Sequence, residues 1–281
     1  MLEILSVTSE TLLPLTGNIA EFKVGGRRIA EIIRSRFPAA FDAAVTLRGD
    51  FVPSAELAEL LAGEVALKVI SPCDNSILAD NGGKSPRELF PDENSIQICY
   101  PWDLLRLNEL LLAEIEPDCR GVIREGVTVD GVLQAGEGSV ILPGVYIEGN
   151  VVIGKNCKIG PNCYIRGNTS IGDRCHIGQA VEIKNSILGD HVSIGHLSYA
   201  GDSIIASDVN FGAGTIISNL RHDGQNHRCM NKGRLISTGR RKFGAVIGAG
   251  VHTGIHTSIY PGRTLSGGSS TQPGEVIKHS R

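Results

Sequence analysis

The 281-residue sequence predicts a mainly β chain: a left-handed parallel β-helix preceded by a small α/β domain. Three observations lead there. Glycine is abundant, 35 residues, and lopsided, with 7 in positions 1–120 and 28 in 121–281. Aliphatic residues recur every six positions at Ile123, Val129, Ala135, Ile141, Ile147, Ile153, Ile159, Ile165, Ile171, Ile177 and Ile183. A period of six is incompatible with a helical face, which recurs at 3.6 residues. It suits a short strand and a tight turn, three to a coil of about 18 residues, with coils stacked as parallel sheets.

The register shortens by one residue to reach Leu188, Ile194 and Ala200, and again to reach Ile205, Phe211 and Ile217. It resumes at Ile247, Thr253, Ile259 and Leu265. Glycine follows the inward residue at 136, 154, 160, 172 and 178, where a sharp turn is expected. Cys157, Cys163 and Cys175 each lie two residues before an inward Ile, so packing rather than metal ligation is their predicted role. Three units follow: an α/β domain over 1–99, a linker helix over 100–120, and the β-helix over 121–281 with an inserted loop at 218–243.

Composition narrows the function. A net charge of −3 provides no basic field for nucleic acid. No apolar run approaches the roughly 18 residues of a membrane helix. The N-terminus lacks a signal peptide's basic and apolar regions, and seven cysteines without a C-x-x-C pair read as reduced thiols, which points to the cytoplasm.

Chemistry is expected where the repeat is broken. Arg166 and Lys184 stand where the turn glycine is expected, one coil apart, and stacked like charges call for an anion between them. A phosphate suits a guanidinium fork and an ammonium. Glu182 projects outward two residues before Lys184, Tyr199 falls in its column, and His196 lies three residues away as a candidate general base. The excursion over 218–243 carries Arg221, His222, Arg228, Lys232, Arg234, Arg240, Arg241 and Lys242, a basic set suited to a polyphosphate ligand.

Residues Val181–Gly224, including H-L-S-Y-A-G-D and S-N-L-R-H-D-G, closely resemble the acetyltransferase half of bifunctional N-acetylglucosamine-1-phosphate uridyltransferases. S-T-G-R-R-K-F-G-A-V-I-G, 237–248, is similar to the archaeal-type sugar-1-phosphate nucleotidylyltransferase/acetyltransferases. The resemblance implies acetyl transfer from acetyl-CoA, without a metal, to the amine of glucosamine-1-phosphate or galactosamine-1-phosphate. It implies His196 as base, with Arg166, Lys184, Tyr199 and Asn210 on the amino-sugar phosphate and Asn219 near the sugar. Glu182 would orient alongside, the Ala213 N–H would face the acetyl carbonyl, and a homotrimer would form. Arg240, Arg241 and Lys242 are candidates for the CoA phosphates. Two family positions differ: a lysine after the N-x-D-G turn has His227 as its nearest substitute, and a serine after Gly254 reads Ile255.

Residues 12–33 and 100–112 resemble the first domain and joining helix of fused homologues, but the L-x-G-G-x-G-T-R nucleotide loop is missing. A nucleotidyltransferase relic without uridylyltransfer is the expectation. Gly25, Gly26 and Arg27 form a weak phosphate-loop candidate, with a plain turn as the simpler reading. Two other functions compete: a non-catalytic sugar-phosphate-binding or scaffold protein, and a zinc enzyme like the β-helical carbonic anhydrases, with His176, His191 and His196 as ligands.

Overall fold

Inward aliphatic side chains at the hexad positions close the C-terminal segment into a parallel β-helix, as the periodicity predicts. The structure, a computed structural model, describes residues 1–231 and 233–281, and of Thr11 the backbone alone. Lys232 of the basic loop lies outside the described residues.

Three ladders of parallel strands form the faces. One runs through Tyr164–Arg166, Glu182–Lys184, Tyr199–Gly201, Ile216–Ile217 and Ser258–Ile259. A second runs through Thr169–Ile171, Ile187–Leu188, Ile204–Ile205, Ala245–Ile247 and Arg263–Leu265. The third carries Lys158–Ile159, His176–Gln179, Ser193–His196, Asn210–Phe211 and His252–Thr253. Ile165, Ile177, Ile183, Ile194, Ala200 and Ile217 are fully enclosed, and Cys157, Cys163 and Cys175 pack among them. At the N-terminal end the hexad continues without enclosure: Ile123 and Val129 are exposed, because no coil lies beneath them.

The expected role of the glycines is corrected at most of these positions. Gly136, Gly154, Gly172 and Gly178 have ordinary φ and are required because a Cβ would strike the next coil. The sharp left-handed turns fall two residues later, at positions such as Asn156, Arg174 and Ala180. Glycine does take that role elsewhere, as in the corner column of Gly131, Gly149 and Gly167 with φ of 143°, 83° and 68°. In the next two coils the same corner holds Asn185 (φ 46°) and then Asp202 (φ 50°). Short polar side chains tolerate this conformation better than others, yet it still costs about 1–2 kcal/mol per residue relative to glycine.

The first 99 residues carry a five-stranded sheet and two α-helices. The sheet has the spatial order Leu2–Leu5, Val45–Arg48, Ile77–Asp80, Leu67–Ile70, Arg87–Leu89, with parallel outer pairs and antiparallel centre. Helix α1 (Ile29–Arg36) buries Ile29, Ile32 and Ile33; α2 (Ala55–Ala62) buries Leu57 and Leu61 and is capped by Ser54 Oγ, which accepts from Leu57 N. The linker helix is shorter than expected. Helix α3 spans Pro101–Leu112, and Asp118–Cys119 already pairs with the solenoid strand Thr128–Ala135.

α3 is built into the β-helix rather than spanning a gap. Leu104, Leu105 and Leu107 share one apolar core with the α/β unit and with Ile187, Ile204 and Val246 on the solenoid's outer surface. Buried Asn108 accepts from Gly25 N (3.0 Å) and donates to Asn168 O (2.8 Å), joining all three parts. Lys23 Nζ adds hydrogen bonds to Asp173 (2.9 Å) and Asp190 (2.9 Å) in two successive solenoid turns. The Gly25–Gly26 segment is therefore a plain hairpin turn: a Cβ at 25 would crowd Leu111 and Leu112, and one at 26 would meet Val152.

A paired test distinguishes crowding from conformational freedom. A Cβ at Gly178 would overlap the Gly195 carbonyl, whereas one at Gly195 meets nothing within 4 Å. Gly178→Ala is expected to cost about 1–3 kcal/mol in chemical denaturation, and Gly195→Ala less than about 0.5 kcal/mol. Equal losses would contradict the stacking argument.

Candidate active site

The face carrying strands 164–166, 182–184 and 199–201 presents two outward columns. Strand register places Arg166 beside Lys184, and Lys184 beside Gly201. The neighbouring column is Tyr164, Glu182 and Tyr199. The predicted one-coil stacking of Arg166 and Lys184 is present.

The anions beside these cations are the protein's own carboxylates. Arg166 donates from Nε (2.8 Å) and Nη2 (2.7 Å) to Glu182 Oε1, and its guanidinium lies 5.1 Å from the Tyr164 ring centroid. Burial works against the Arg166 charge, but the Glu182 contact outweighs it and raises the guanidinium pKa. Lys184 Nζ donates to Asp202 Oδ2 at 2.9 Å. Like-charge repulsion alone therefore does not demand an external phosphate. It is already relieved, and three-donor Lys184 and five-donor Arg166 retain donors beyond these pairs.

Asp202 is the residue that sequence reasoning missed. Its side chain is only 4% exposed and holds three donors: Lys184 Nζ, Asn219 Nδ2 (2.6 Å) and Asn185 Nδ2 (3.1 Å). Asn219 Nδ2 also donates to Tyr199 Oη at 2.9 Å. Gly201 leaves the space for this junction, since a Cβ there would overlap the Tyr199 hydroxyl and crowd Asn219 Nδ2. A signal was present in the sequence: the corner glycine column at 131, 149 and 167 gives way to Asn185 and Asp202.

His196 lies on the adjoining face, at the end of strand Ser193–His196, exposed beside the left-handed corner residue Leu197. Register continues from Ser193–Asn210 and Ile194–Phe211 to set Ala213 over His196, and Gly214 N donates to His196 O at 3.2 Å. Asn210 is exposed on that same face. Hydrogen bonds and ion pairs thus gather Arg166 with Glu182, and Lys184 with Asp202, Asn219 and Tyr199; strand register sets the two groups side by side, with His196, Ala213 and Asn210 around the corner from them. Glu182 is engaged by Arg166.

The basic excursion is also more structured than expected. Arg228–Asn231 and Arg234–Ser237 form an antiparallel hairpin, and Cys229 and Phe243 are buried in the core shared with α3. Arg240 is turned inward to Glu109 of α3, paired through Nη1 (3.2 Å) and Nη2, so it does not join exposed Arg241 and Lys242. His227 is buried, with Nε2 3.0 Å from Asn219 O, and supports the loop rather than facing a ligand. His191 pairs with Arg174 and Asp208, and among the described residues no group of three or more His, Cys, Asp or Glu could hold a metal ion.

Fold and ridge together define a hexapeptide-repeat β-helix protein with a cationic, carboxylate-braced face. Comparisons with known proteins find the following similarities. Residues 147–266 match the family described as the GMPPB C-terminal domain. A bifunctional protein GlmU from Methanococcus maripaludis is 49% identical over 192 residues, 68% of this chain and 46% of the relative. A bifunctional sugar-1-phosphate nucleotidylyltransferase/acetyltransferase from Sulfurisphaera tokodaii is 47% identical over 98 residues, 35% of this chain and 24% of the relative. Among solved structures, a UDP-N-acetylglucosamine O-acyltransferase from Moraxella catarrhalis is similar at 16% identity and a TM-score of 0.35, over 56% of this chain and 67% of that one. The resemblance carried by residues 181–224 therefore holds: the C-terminal half is homologous to GlmU-type bifunctional proteins. The chain spans less than half the length of these curated relatives.

Burial, with the charges of Asp202 and Glu182, raises the Tyr199 hydroxyl above the ordinary tyrosine range. Asp202→Asn removes one of those charges, so the Tyr199 titration is expected to move down. Ultraviolet difference titration against Tyr199→Phe reads that shift, and an unmoved midpoint would separate Tyr199 from Asp202.

Proposed function

We propose that the β-helix transfers an acetyl group from acetyl-CoA to the amine of an amino-sugar 1-phosphate, glucosamine-1-phosphate or galactosamine-1-phosphate. The observation that carries this reading is the Arg166–Lys184 pair, stacked in register, with Lys184 joined through the buried Asp202 carboxylate to Asn219 and Tyr199. A phosphate monoester offers several oxygens to the donors that Glu182 and Asp202 leave over. Tyr199 and Asn219 then border the sugar, and Asn210 contributes from the adjoining face.

His196 takes a proton from the acceptor ammonium, because the protonated nitrogen has no lone pair for attack. The amine attacks the thioester carbonyl, and the carbon–sulfur bond breaks as the tetrahedral intermediate collapses; the nitrogen's second proton passes to the departing sulfur, giving amide and CoA thiol. The Ala213 N–H, one coil above His196, stabilises the developing oxyanion. No metal enters this chemistry. Arg241 and Lys242 are exposed and free to meet the CoA phosphates, whereas Arg240 braces α3. Because base and cation cluster occupy different faces, a homotrimer with ligands between subunits, as the resemblance implies, suits the site. Among the described residues no helix is long and apolar enough to cross a membrane, and a cytoplasmic location accords with the amino-sugar chemistry. The first 99 residues are read as a nucleotidyltransferase relic without uridylyltransfer.

His196→Ala is expected to lower kcat about 10²–10⁴-fold with little change in KM for glucosamine-1-phosphate. Wild-type turnover in that variant would remove His196 as base, and binding without turnover in the native protein would favour the scaffold reading. Replacing Arg241 and Lys242 together by Ala is expected to raise the acetyl-CoA KM about tenfold, leaving that of the sugar phosphate in place. An unchanged acetyl-CoA KM would remove both from the cofactor site.

A further inference from the structure

Helix α3 belongs to no hexad, yet two chains of contacts run from it into the cation cluster. The first begins at Glu109, whose Oε1 accepts from Asn185 Nδ2 at 2.9 Å. The same Asn185 amide nitrogen donates to Asp202 Oδ1 at 3.1 Å, and the other Asp202 oxygen holds Lys184 and Asn219. One amide thus spans two carboxylates, with its two hydrogens available to one each. Arg240 lies against Glu109 on the far side, so each of the two carboxylates that Asn185 spans has its own cation, Arg240 for Glu109 and Lys184 for Asp202. The second chain begins at Trp102, whose ring meets Phe243 edge-on at 5.9 Å. Phe243 N donates to Asn219 O at 2.9 Å, and His227 Nε2 reaches that carbonyl as well.

Asn185 is the informative link. Below it in the corner column stand Gly131, Gly149 and Gly167, which take the left-handed conformation without penalty. A side chain at 185 is strained there, and its amide is the group that joins α3 to Asp202. Residues other than glycine take this conformation at further corners, such as Arg174, Ala180 and Leu197, so it is the contacts of Asn185 with Glu109 and Asp202 that give it a role.

We infer that Glu109 and Asn185 are positioning residues for the acceptor site: they fix Asp202, and through it Lys184 and Asn219, so that the α/β unit presets the sugar-phosphate site from outside the β-helix. The inference deepens the acetyltransferase reading and rests on it for its kinetic consequence. Its structural part stands without it. The α/β unit then contributes by seating α3 through the shared apolar core and Asn108, whatever became of its own chemistry.

Asn185→Gly in the full chain is the test, because glycine suits this corner in three lower coils and the fold should be retained. Two readouts are needed. In the first, Lys184 is labelled by an amine-acylating reagent and quantified by peptide mass spectrometry, which requires no substrate. Loosening of Asp202 is expected to raise the Lys184 labelling rate several-fold over other lysines, with a similar change in Glu109→Ala. In the second, acetyl transfer to glucosamine-1-phosphate is expected to show an acceptor KM raised about tenfold, with acetyl-CoA KM within about twofold. Glu109→Gln, which keeps an acceptor for Asn185, is expected to restore part of the loss seen in Glu109→Ala. Unchanged Lys184 labelling in folded Asn185→Gly overturns the inference. Altered labelling in a protein without turnover on any amino-sugar phosphate overturns the acetyltransferase reading and leaves the positioning network intact.

Discussion

Equivalent residues one coil apart must lie on top of one another, and both the stability and the chemistry of this protein descend from that stacking. Inside, it turns a column of Ile side chains into a continuous core in which Ile165 and Ile183, or Ile177 and Ile194, are nearest neighbours. Outside, the same register forces polar side chains into contact with whatever occupies their position a coil away. A solenoid with bland outer columns needs only solubility there. Here one column stacks arginine on lysine, which is tenable only with counter-charges close by, and Glu182 and Asp202 supply them.

The two carboxylates differ in exposure. The Glu182 side chain is about one-third exposed and Asp202 is buried, so the Arg166 pair is open to solvent exchange while the Lys184 pair is enclosed. An exposed pair of this kind contributes little to stability and can be rearranged by a ligand. The buried one is different: losing a partner from an enclosed carboxylate leaves an uncompensated charge and is strongly destabilising. This asymmetry suits a site with one fixed cation and one adaptable cation. It also explains why Asp202 is bound by three separate donors.

Much of the fold was legible because the hexad is a strong, local rule, and its residues from Ala135 to Leu265 largely point inward as expected. Register also made Arg166, Lys184, Glu182 and Tyr199 neighbours before any coordinates. Asp202 was not legible by the same means, since it sits at a corner rather than on a strand, and its partners Asn185 and Asn219 lie a coil to either side. The inward turn of Arg240 was hidden for another reason. Its partner Glu109 is 131 residues earlier, on a helix whose placement depends on a core assembled from both halves of the chain. Local pattern reads columns well and reads contacts between units poorly.

The central claim is that an amino-sugar phosphate is acetylated on a phosphate-holding face. Thiol release from acetyl-CoA, followed with glucosamine-1-phosphate, galactosamine-1-phosphate and the corresponding sugars without phosphate, tests it most directly. The account predicts release with at least one phosphorylated amino sugar, at a kcat/KM at least about a hundredfold above its unphosphorylated counterpart. Equal rates with and without the phosphate, or no release with any of the four, would contradict it.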